Sequence, residues 1–488
     1  MSPRETETGD ASAGLAAHER RVARDLELLG LPPRHWPATR PGPDGQALID
    51  VVVVGAGMCG IAAAAGLILI GIRNVRVLDQ NAAGREGPWL TFARMETLRS
   101  PKHLPGPAMG IPSLTFRAWH EACHGVDGWE RLYKIPRDVW MDYLGWLQRV
   151  LALPIESDAT VTRLAPTDGA IAVTVESGAG TRVLHARRVV LATGRGGAGG
   201  LHTPDLVDRA LWPDLAAHAN DAIDFARLKG RRIAVLGGGD AAWDNAATAL
   251  EAGAVRVDMY LRRDVLPQVN KGRGAALPGY FVGVGALDDA DRWSLFVYRD
   301  DHAPPPPHET VLRTIRQPGF NIHFSAPVAA ATRDGGRVAL RIDGDATPRN
   351  ADFLIVATGF AIDLRACREL AALAPAIATW GDRYTPPPAL ARPHLALYPY
   401  LGAGFELQRR TPDAPAALER IHLFNIAAMA SIGAVTGEIP GIGYGADRLT
   451  WAIAAAIFRE DIAHMRRELD AFAEPELVST PFFVPGRE

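Results

Sequence analysis

Cysteine is scarce: 488 residues hold three, Cys59, Cys123 and Cys367. Their wide separation excludes a disulfide framework, a cysteine-based zinc site and a redox relay through a close cysteine pair; no metal is expected. Neither sign of charge dominates, with 52 Lys and Arg against 55 Asp and Glu. A nucleic acid is therefore not the expected main partner. No uninterrupted apolar run is long enough to span a bilayer, and no early basic stretch leads into an apolar segment with a small-residue cleavage site. The expected compartment is the cytoplasm, with no membrane partner.

What the chain does have is two glycine-rich turns. Val51-Val-Val-Val54 runs into Gly55-Ala-Gly57-Met58-Cys59-Gly60, and Ile233-Ala-Val-Leu236 runs into Gly237-Gly-Gly239-Asp240-Ala-Ala242. Each is an apolar strand that breaks into glycines and continues as an alanine-rich helix. That arrangement aims backbone N–H groups and the positive helix end at a pyrophosphate, so two dinucleotides are expected. In the first turn Gly55 permits the bend, Gly57 lets backbone approach the phosphates, and Gly60 lets helix and strand pack closely. Met58 and Cys59 fill the variable positions, Cys59 as a small packed residue. Asp79 closes the strand Val75-Arg-Val-Leu78, followed by Gln80, where a carboxylate accepts ribose hydroxyls and repels a 2′-phosphate. The first site suits FAD or NAD. The second has Arg262-Arg263 at the corresponding strand end, and two guanidinium groups there suit the 2′-phosphate of NADPH. Asn270, Lys271 and Arg273 lie close by in sequence.

Leu15, Val22, Leu26 and Leu29 mark one face of a helix within an N-terminal extension, residues 1–47. Residues 84–155 form an aromatic and proline-rich excursion. Stretches 161–175 and 181–191 alternate as antiparallel strands, the second leading into Ala192-Thr193-Gly194. Ala357-Thr358-Gly359 repeats that signal after another apolar strand. Small residues of this kind mark where a chain crosses between two nucleotide domains close to cofactor. The expected fold is α/β with two Rossmann-like dinucleotide-binding domains: a discontinuous FAD domain, 48–200 and 351–488, and an NADPH domain inserted at 201–350. Within the insert, 265–308 reads as a long irregular loop with a functional role.

With these pieces in place, residues from about 48 to 460 resemble the flavoprotein monooxygenases with separate FAD and NADPH domains: flavin-containing monooxygenases, Baeyer–Villiger monooxygenases and microbial ornithine or lysine N-hydroxylases. Gly87-Pro-Trp89 is similar to an element these enzymes place against the flavin. The stretch Arg94-Met-Glu-Thr-Leu-Arg99-Ser-Pro-Lys102 is similar to the N-hydroxylase pattern around the isoalloxazine. Trp212-Pro-Asp214-Leu-Ala-Ala-His218 keeps the aromatic and histidine of a family signature but has Asp where that signature has Gly. The resemblance makes His218 a residue that couples the domains, with a plain surface or capping role as the alternative. The segment 84–102 is most similar to a bacterial branch that includes a FAD-dependent urate hydroxylase. Thr436-Gly437-Glu-Ile439-Pro-Gly, before a helix from Ala446 to about Phe458, looks like the closing turn of the FAD domain.

The resemblance implies FAD and NADPH as cofactors, with O2 and a small molecule as substrates, and oxygen transfer through a flavin C4a-(hydro)peroxide. Urate hydroxylation is the specific expectation, with Arg94, Arg99, Lys102 or His103 forming a basic pocket for an anionic purine or holding flavin phosphates. N-hydroxylation of an amine or amino acid, reduction of an external acceptor, and a non-catalytic flavin-binding protein stay open. Candidates for direct catalysis are Trp89, His218, Asn270 and Lys271.

Overall fold

A computed structural model describes residues 3–485. Helix α1 (Pro3–Leu28) begins well before the apolar stripe that predicted it and lays Leu15, Val22 and Leu26 against the main core. Strand β1 (Ile49–Val54) is followed by helix α2 (Met58–Leu69) and β2 (Val75–Leu78). The excursion after it carries helices α3 (Phe116–Arg131) and α4 (Arg137–Val150). Strands β3 (Ile155–Glu156), β4 (Thr160–Thr167), β5 (Ala170–Ser177) and β6 (Gly180–Leu191) complete the run. The region expected as one strand over 161–175 is thus a hairpin, turning at Asp168-Gly169, where Gly169 has φ +71°.

These strands form a seven-stranded sheet in the order β3-β2-β1-β6-β5-β4, with the late strand Ile421–Leu423 parallel to β6. β1 is parallel to both β2 and β6. Its valines are buried because both faces of a central parallel strand are covered, which explains the unbroken β-branched run. One cover is α2, whose small residues admit the C-terminal helix Ile442–Glu460. A Cβ on Gly66 would stand 2.7 Å from Thr450 Cγ2.

After β7 (Gly199–Leu201) and β8 (Ala216–His218) come β9 (Arg232–Leu236), helix α5 (Asp240–Glu251) and β10 (Arg256–Tyr260). Helices α6 (Lys271–Gly274), α7 (Pro278–Gly283), α8 (Asp289–Asp301) and α9 (His308–Ile315) then precede β11 (Phe320–His323). An antiparallel trio, β12 (Val328–Asp334), β13 (Arg337–Ile342) and β14 (Arg349–Ala351), leads to β15 (Phe353–Val356) and β16 (Phe360–Ile362). The second sheet is parallel throughout, in the order β11-β10-β9-β15-β8.

Two expectations about the insert need correction. β15 hydrogen-bonds to β9 and β8, so the second sheet extends beyond 350 and the crossing back begins at Ala357. The stretch 265–308 is not an irregular loop. Asp288 caps α8 by accepting the Asp291 N–H at 2.9 Å, and Trp293, Phe296 and Val297 recur at helical spacing on its buried face. That face packs on Trp380 and Leu395, not on the second sheet. α8 therefore belongs with the C-terminal part of the first unit.

The two crossings pair with each other. β7 and β16 form an antiparallel ribbon in which Phe360 opposes Leu201 and Ile362 opposes Gly199.

Candidate active site between the two sheets

Both glycine turns open onto one cleft of about 3040 Å³ between the sheets. That exceeds the few hundred to about 1,000 Å³ of a drug-sized pocket and has room for two dinucleotides and a small substrate. The backbone reasons are specific. At Gly55, φ is +100° and a Cβ would lie 2.6 Å from the Ala192 carbonyl oxygen; at Gly60 a Cβ would lie 1.8 Å from the Gly55 oxygen. Only glycine lets α2 leave the strand this tightly. The second turn repeats the first contact, since Gly237 has φ +128° and a Cβ there would lie 2.3 Å from the Ala357 oxygen. Both Ala-Thr-Gly segments thus pass beneath the first glycine of a turn, and Gly194 and Gly359 take φ of +70° and +82°. Gly57 and Gly239 start α2 and α5. No atom lies within 4 Å of a Cβ placed on Gly239, and the nearest to one on Gly57 is Gly87 Cα at 3.5 Å. The helix ends are therefore not plugged by side chains.

Asp79 is buried at the end of β2. Its Oδ2 accepts the Ala56 N–H at 2.7 Å, and its Oδ1 accepts the Asn81 backbone N–H at 2.8 Å and Nδ2 at 3.0 Å. A carboxylate has about four acceptor sites, so room for a further donor remains. Gln80 is exposed at the cleft wall. Met58 and Cys59 are buried in the first turn, and Cys59 Sγ accepts the Gly437 N–H at 3.4 Å. That bond ties the closing turn, with buried Ile439, to α2. Burial pushes the Cys59 thiol up to about 11, and does the same to Cys123, while Cys367 rises to about 12. All three stay protonated thiols.

Thr193 and Gly194 line the cleft, and Thr193 Oγ1 accepts from Asn425 Nδ2 at 3.1 Å. Asn425 also donates to the Gly197 carbonyl, so it clamps the first crossing to the C-terminal segment. Sequence reasoning passed over Asn425; its position directly after an apolar strand was the available signal. Thr358 Oγ1 donates to the His202 carbonyl, which fastens the second crossing to the first.

Trp89 lines the cleft, its ring 6.3 Å from that of Trp140 in an edge-on arrangement. Trp89 Nε1 is buried with no hydrogen-bond partner among the described residues. Gly87 beside it would bring a Cβ to 3.7 Å from that nitrogen. A buried donor without an acceptor is costly, and this one lies next to the first glycine turn.

The basic residues of the 94–103 segment all reach the cleft wall, but three of them are already engaged. Arg94 donates to the Asp221 carbonyl at 2.9 Å and lies over the Phe225 ring. Arg99 pairs with Asp240 at 2.8 Å. Lys102 donates to the Trp129 carbonyl at 2.7 Å and sits over that indole, against which His103 packs edge-on. Arg94 and Arg99 thus tie the two units together. Burial raises the Asp240 carboxyl above the usual range, against the opposing pull of Arg99 and Arg195.

Arg262 and Arg263 are exposed at the end of β10, on the cleft, with no carboxylate partner among the described residues. Lys271 and Arg273 stand alike on α6; Asn270 caps that turn by accepting the Arg273 N–H at 3.2 Å. Ala242, the third position of the second turn, is fully buried in α5. Arg195, directly after the first crossing, is a further unpaired cation on the cleft that sequence reasoning missed.

His218 is neither a surface residue nor a lining residue. It is buried in β8, its Nδ1 accepts the Asn220 N–H at 3.2 Å, and burial lowers its pKa, so the ring is neutral. Asp221 holds its backbone N–H at 2.7 Å. That position does not support direct catalysis.

The family described as pyridine nucleotide-disulphide oxidoreductase matches residues 52–275. A FAD-dependent urate hydroxylase of Xanthomonas campestris pv. campestris is 39% identical over 467 residues, covering 95% of this chain and 97% of that protein. Among solved structures, the reduced ornithine hydroxylase of Pseudomonas aeruginosa aligns with a TM-score of 0.67 at 20% identity, over 84% of this chain and 99% of its own. Bacillithiol disulfide reductase of Bacillus cereus aligns with a TM-score of 0.56 at 16% identity, over 83% and 99%. At such identities the likeness is one of fold.

The chain belongs to the family of two-dinucleotide-domain, FAD- and NAD(P)H-binding flavoprotein monooxygenases related to that urate hydroxylase. It is an FAD- and NADPH-dependent monooxygenase that hydroxylates a small substrate. No helix among the described residues is long and apolar enough to cross a membrane.

Proposed function

We propose that the substrate is a small nitrogen compound carrying an anionic group, either an amino acid oxygenated at nitrogen or a urate-like purine oxygenated at carbon. One observation carries this reading: among the described residues the unengaged charge on the cleft is mainly cationic, five Arg and Lys side chains against the unpaired Glu130 and Glu369. Arg195, Arg262, Arg263, Lys271 and Arg273 have no carboxylate partner among the described residues. Three carboxylates facing the same space, Asp240, Glu309 and Glu438, are paired with Arg99, Lys134 and Arg299. Such a cleft raises the local concentration of anions, NADPH included.

The residues fit FAD at the first turn. Gly55, Gly57, Gly60 and the start of α2 would hold its pyrophosphate, Asp79 its ribose, and Gly437 with Ile439 its far edge, while Trp89 offers an unsatisfied N–H beside the turn. Gly237, Gly239, Asp240, Ala242 and the start of α5 would hold the NADPH pyrophosphate. Arg99 offsets the Asp240 charge there, and Arg262 with Arg263 would take the 2′-phosphate. FAD, when bound, accepts hydride from NADPH and activates O2 for transfer of one oxygen atom. The protein's share is alignment and exclusion of water: Phe296 and Tyr298 of α8, with Trp89, Phe92 and Phe281, wall the cleft with aromatics, and the crossings join the two turns.

Urate stands on the 39%-identical relative, and nitrogen oxygenation on the N-hydroxylase pattern of residues 94–102. A thiol-relay reductase is disfavoured because all three cysteines are separate, protonated thiols. The test is NADPH oxidation and O2 uptake with ornithine, lysine, urate and cadaverine, with products identified by mass spectrometry. Oxygenated product is expected from a carboxylate-bearing amino acid or from urate. Product from cadaverine alone, which has no anionic group, would overturn the substrate class.

A further inference from the structure

A line of oxidisable rings runs from the cleft into the excursion and ends at Trp146, buried beneath the part-exposed Glu19. Trp89 faces the cleft. Its ring centroid is 6.3 Å from Trp140, which is 5.2 Å from Tyr143, which is 6.1 Å from Trp146 and nearly parallel to it, at 26°. Trp140, Tyr143 and Trp146 are at most 1% exposed, so no water separates the rings. Electron tunnelling falls exponentially with distance, and rings in contact are the arrangement that carries it in short steps.

The hydrogen bonding along this line is graded. Trp89 and Trp140 have buried indole N–H groups without partners among the described residues. The Tyr143 hydroxyl donates to the Leu114 carbonyl at 2.7 Å, and burial lifts its pKa well above the ordinary phenol value. None of the three has a base to take a proton, so an oxidised ring there cannot become a stable neutral radical. Trp146 differs: its Nε1 donates to Glu19 Oε1 at 3.2 Å, and the Glu19 side chain is 41% exposed. The one indole of the line with a proton acceptor stands at its outer end.

We propose that Trp89, Trp140, Tyr143 and Trp146 form an electron conduit between bound FAD and the protein surface, with Glu19 as the terminal proton acceptor. The proposal rests on FAD occupying the cleft beside Trp89. FAD, when bound in its oxidised form and excited by light, would take one electron from the Trp89 indole. The vacancy is filled from Trp140, and then from Trp146 across Tyr143. The Trp146 Nε1 proton passes to Glu19 and on to solvent, leaving a neutral indolyl radical; an external thiol then returns one electron and one proton to it and becomes a thiyl radical. Oxidising equivalents are thereby drawn away from the substrate cleft.

The experiment is laser-flash absorption of the FAD-loaded protein, with electron paramagnetic resonance of samples frozen under illumination. Wild-type protein is expected to give a long-lived neutral tryptophan radical, and steady bleaching of FAD when a thiol is present. Trp140→Phe and, nearer the surface, Trp146→Phe should retain the yellow flavin but lose the long-lived radical. Glu19→Gln should shift the radical from the neutral to the cationic spectrum and shorten its life. A yellow wild-type protein without the radical, or an undiminished radical in both Phe variants, would overturn the conduit alone. A protein that stays colourless after reconstitution would overturn the FAD site and the conduit with it.

Discussion

The two nucleotide units share a skeleton and differ at its ends. In each, the first glycine presses on the carbonyl of the alanine that opens an Ala-Thr-Gly crossing: Gly55 on Ala192, Gly237 on Ala357. In each, that alanine's N–H bonds to the last residue of the turn's own strand at 2.9 Å, Val54 or Leu236. The difference lies where the second strand stops. β2 ends in a buried carboxylate held by three donors, whereas β10 ends in two exposed guanidinium groups. In this reading backbone topology would set where a pyrophosphate can sit, and the strand-end side chains which ribose is accepted.

The sharpest way to break the likeness is Gly60→Ala. Its third-glycine counterpart is already Ala242, so the second unit tolerates what the first cannot. With 1.8 Å between the new Cβ and the Gly55 oxygen, α2 must move. A loss of about 3 kcal/mol is expected, read as a lower Tm together with loss of bound flavin, while Ala242→Gly lowers stability by only about 1 kcal/mol.

Asp79→Ala comes next. It removes the charge that the ribose would meet and leaves the Ala56 and Asn81 donors unpaired. Flavin retention on a desalting column should weaken by about 2 kcal/mol, or some thirtyfold in Kd. Unchanged retention would remove Asp79 from the FAD site. Arg262→Ala tests the opposite end of the comparison and should raise the KM for NADPH about tenfold, the worth of one charge-assisted bond, while leaving NADH unchanged. An equal effect on both dinucleotides would show that the pair does not read the 2′-phosphate.

A further test concerns pH. Burial raises the Asp244 carboxyl in α5 from 3.8 to about 6, against the opposing hydrogen bond from Thr310. Because the folded pKa lies above the unfolded one, the native state binds the extra proton between these values, and its stability falls as pH rises from about 4 to 6. Asp244→Asn should flatten that part of a Tm-against-pH curve relative to wild type. An identical curve would show that Asp244 titrates normally.

Much of the skeleton was legible in the chain because its cause is local. A β-branched run, a glycine at a position with φ +100° or +128°, and an alanine-rich helix follow one another within a dozen residues. What stayed hidden depends on partners far away in sequence. Nothing near Phe353–Val356 says that the strand inserts between β9 and β8. The basic segment reads as an anion pocket until Arg94 is found on the Asp221 carbonyl and Arg99 on Asp240, more than a hundred residues away. Helix α8 is the exception: the Asp288 cap and the spacing of Trp293, Phe296 and Val297 were visible, but the proline run and glycines around them suggested a loop.

The β7–β16 ribbon has a mechanical consequence. Two separate tethers would let one body tumble against the other, but these are zipped together by the pairing of Gly199–Leu201 with Phe360–Ile362. The joint is a single paired strap, entered through the positive-φ glycines Gly194 and Gly359. Any relative displacement of the two units would have to carry this paired ribbon with it, so the crossings cannot shift independently of each other.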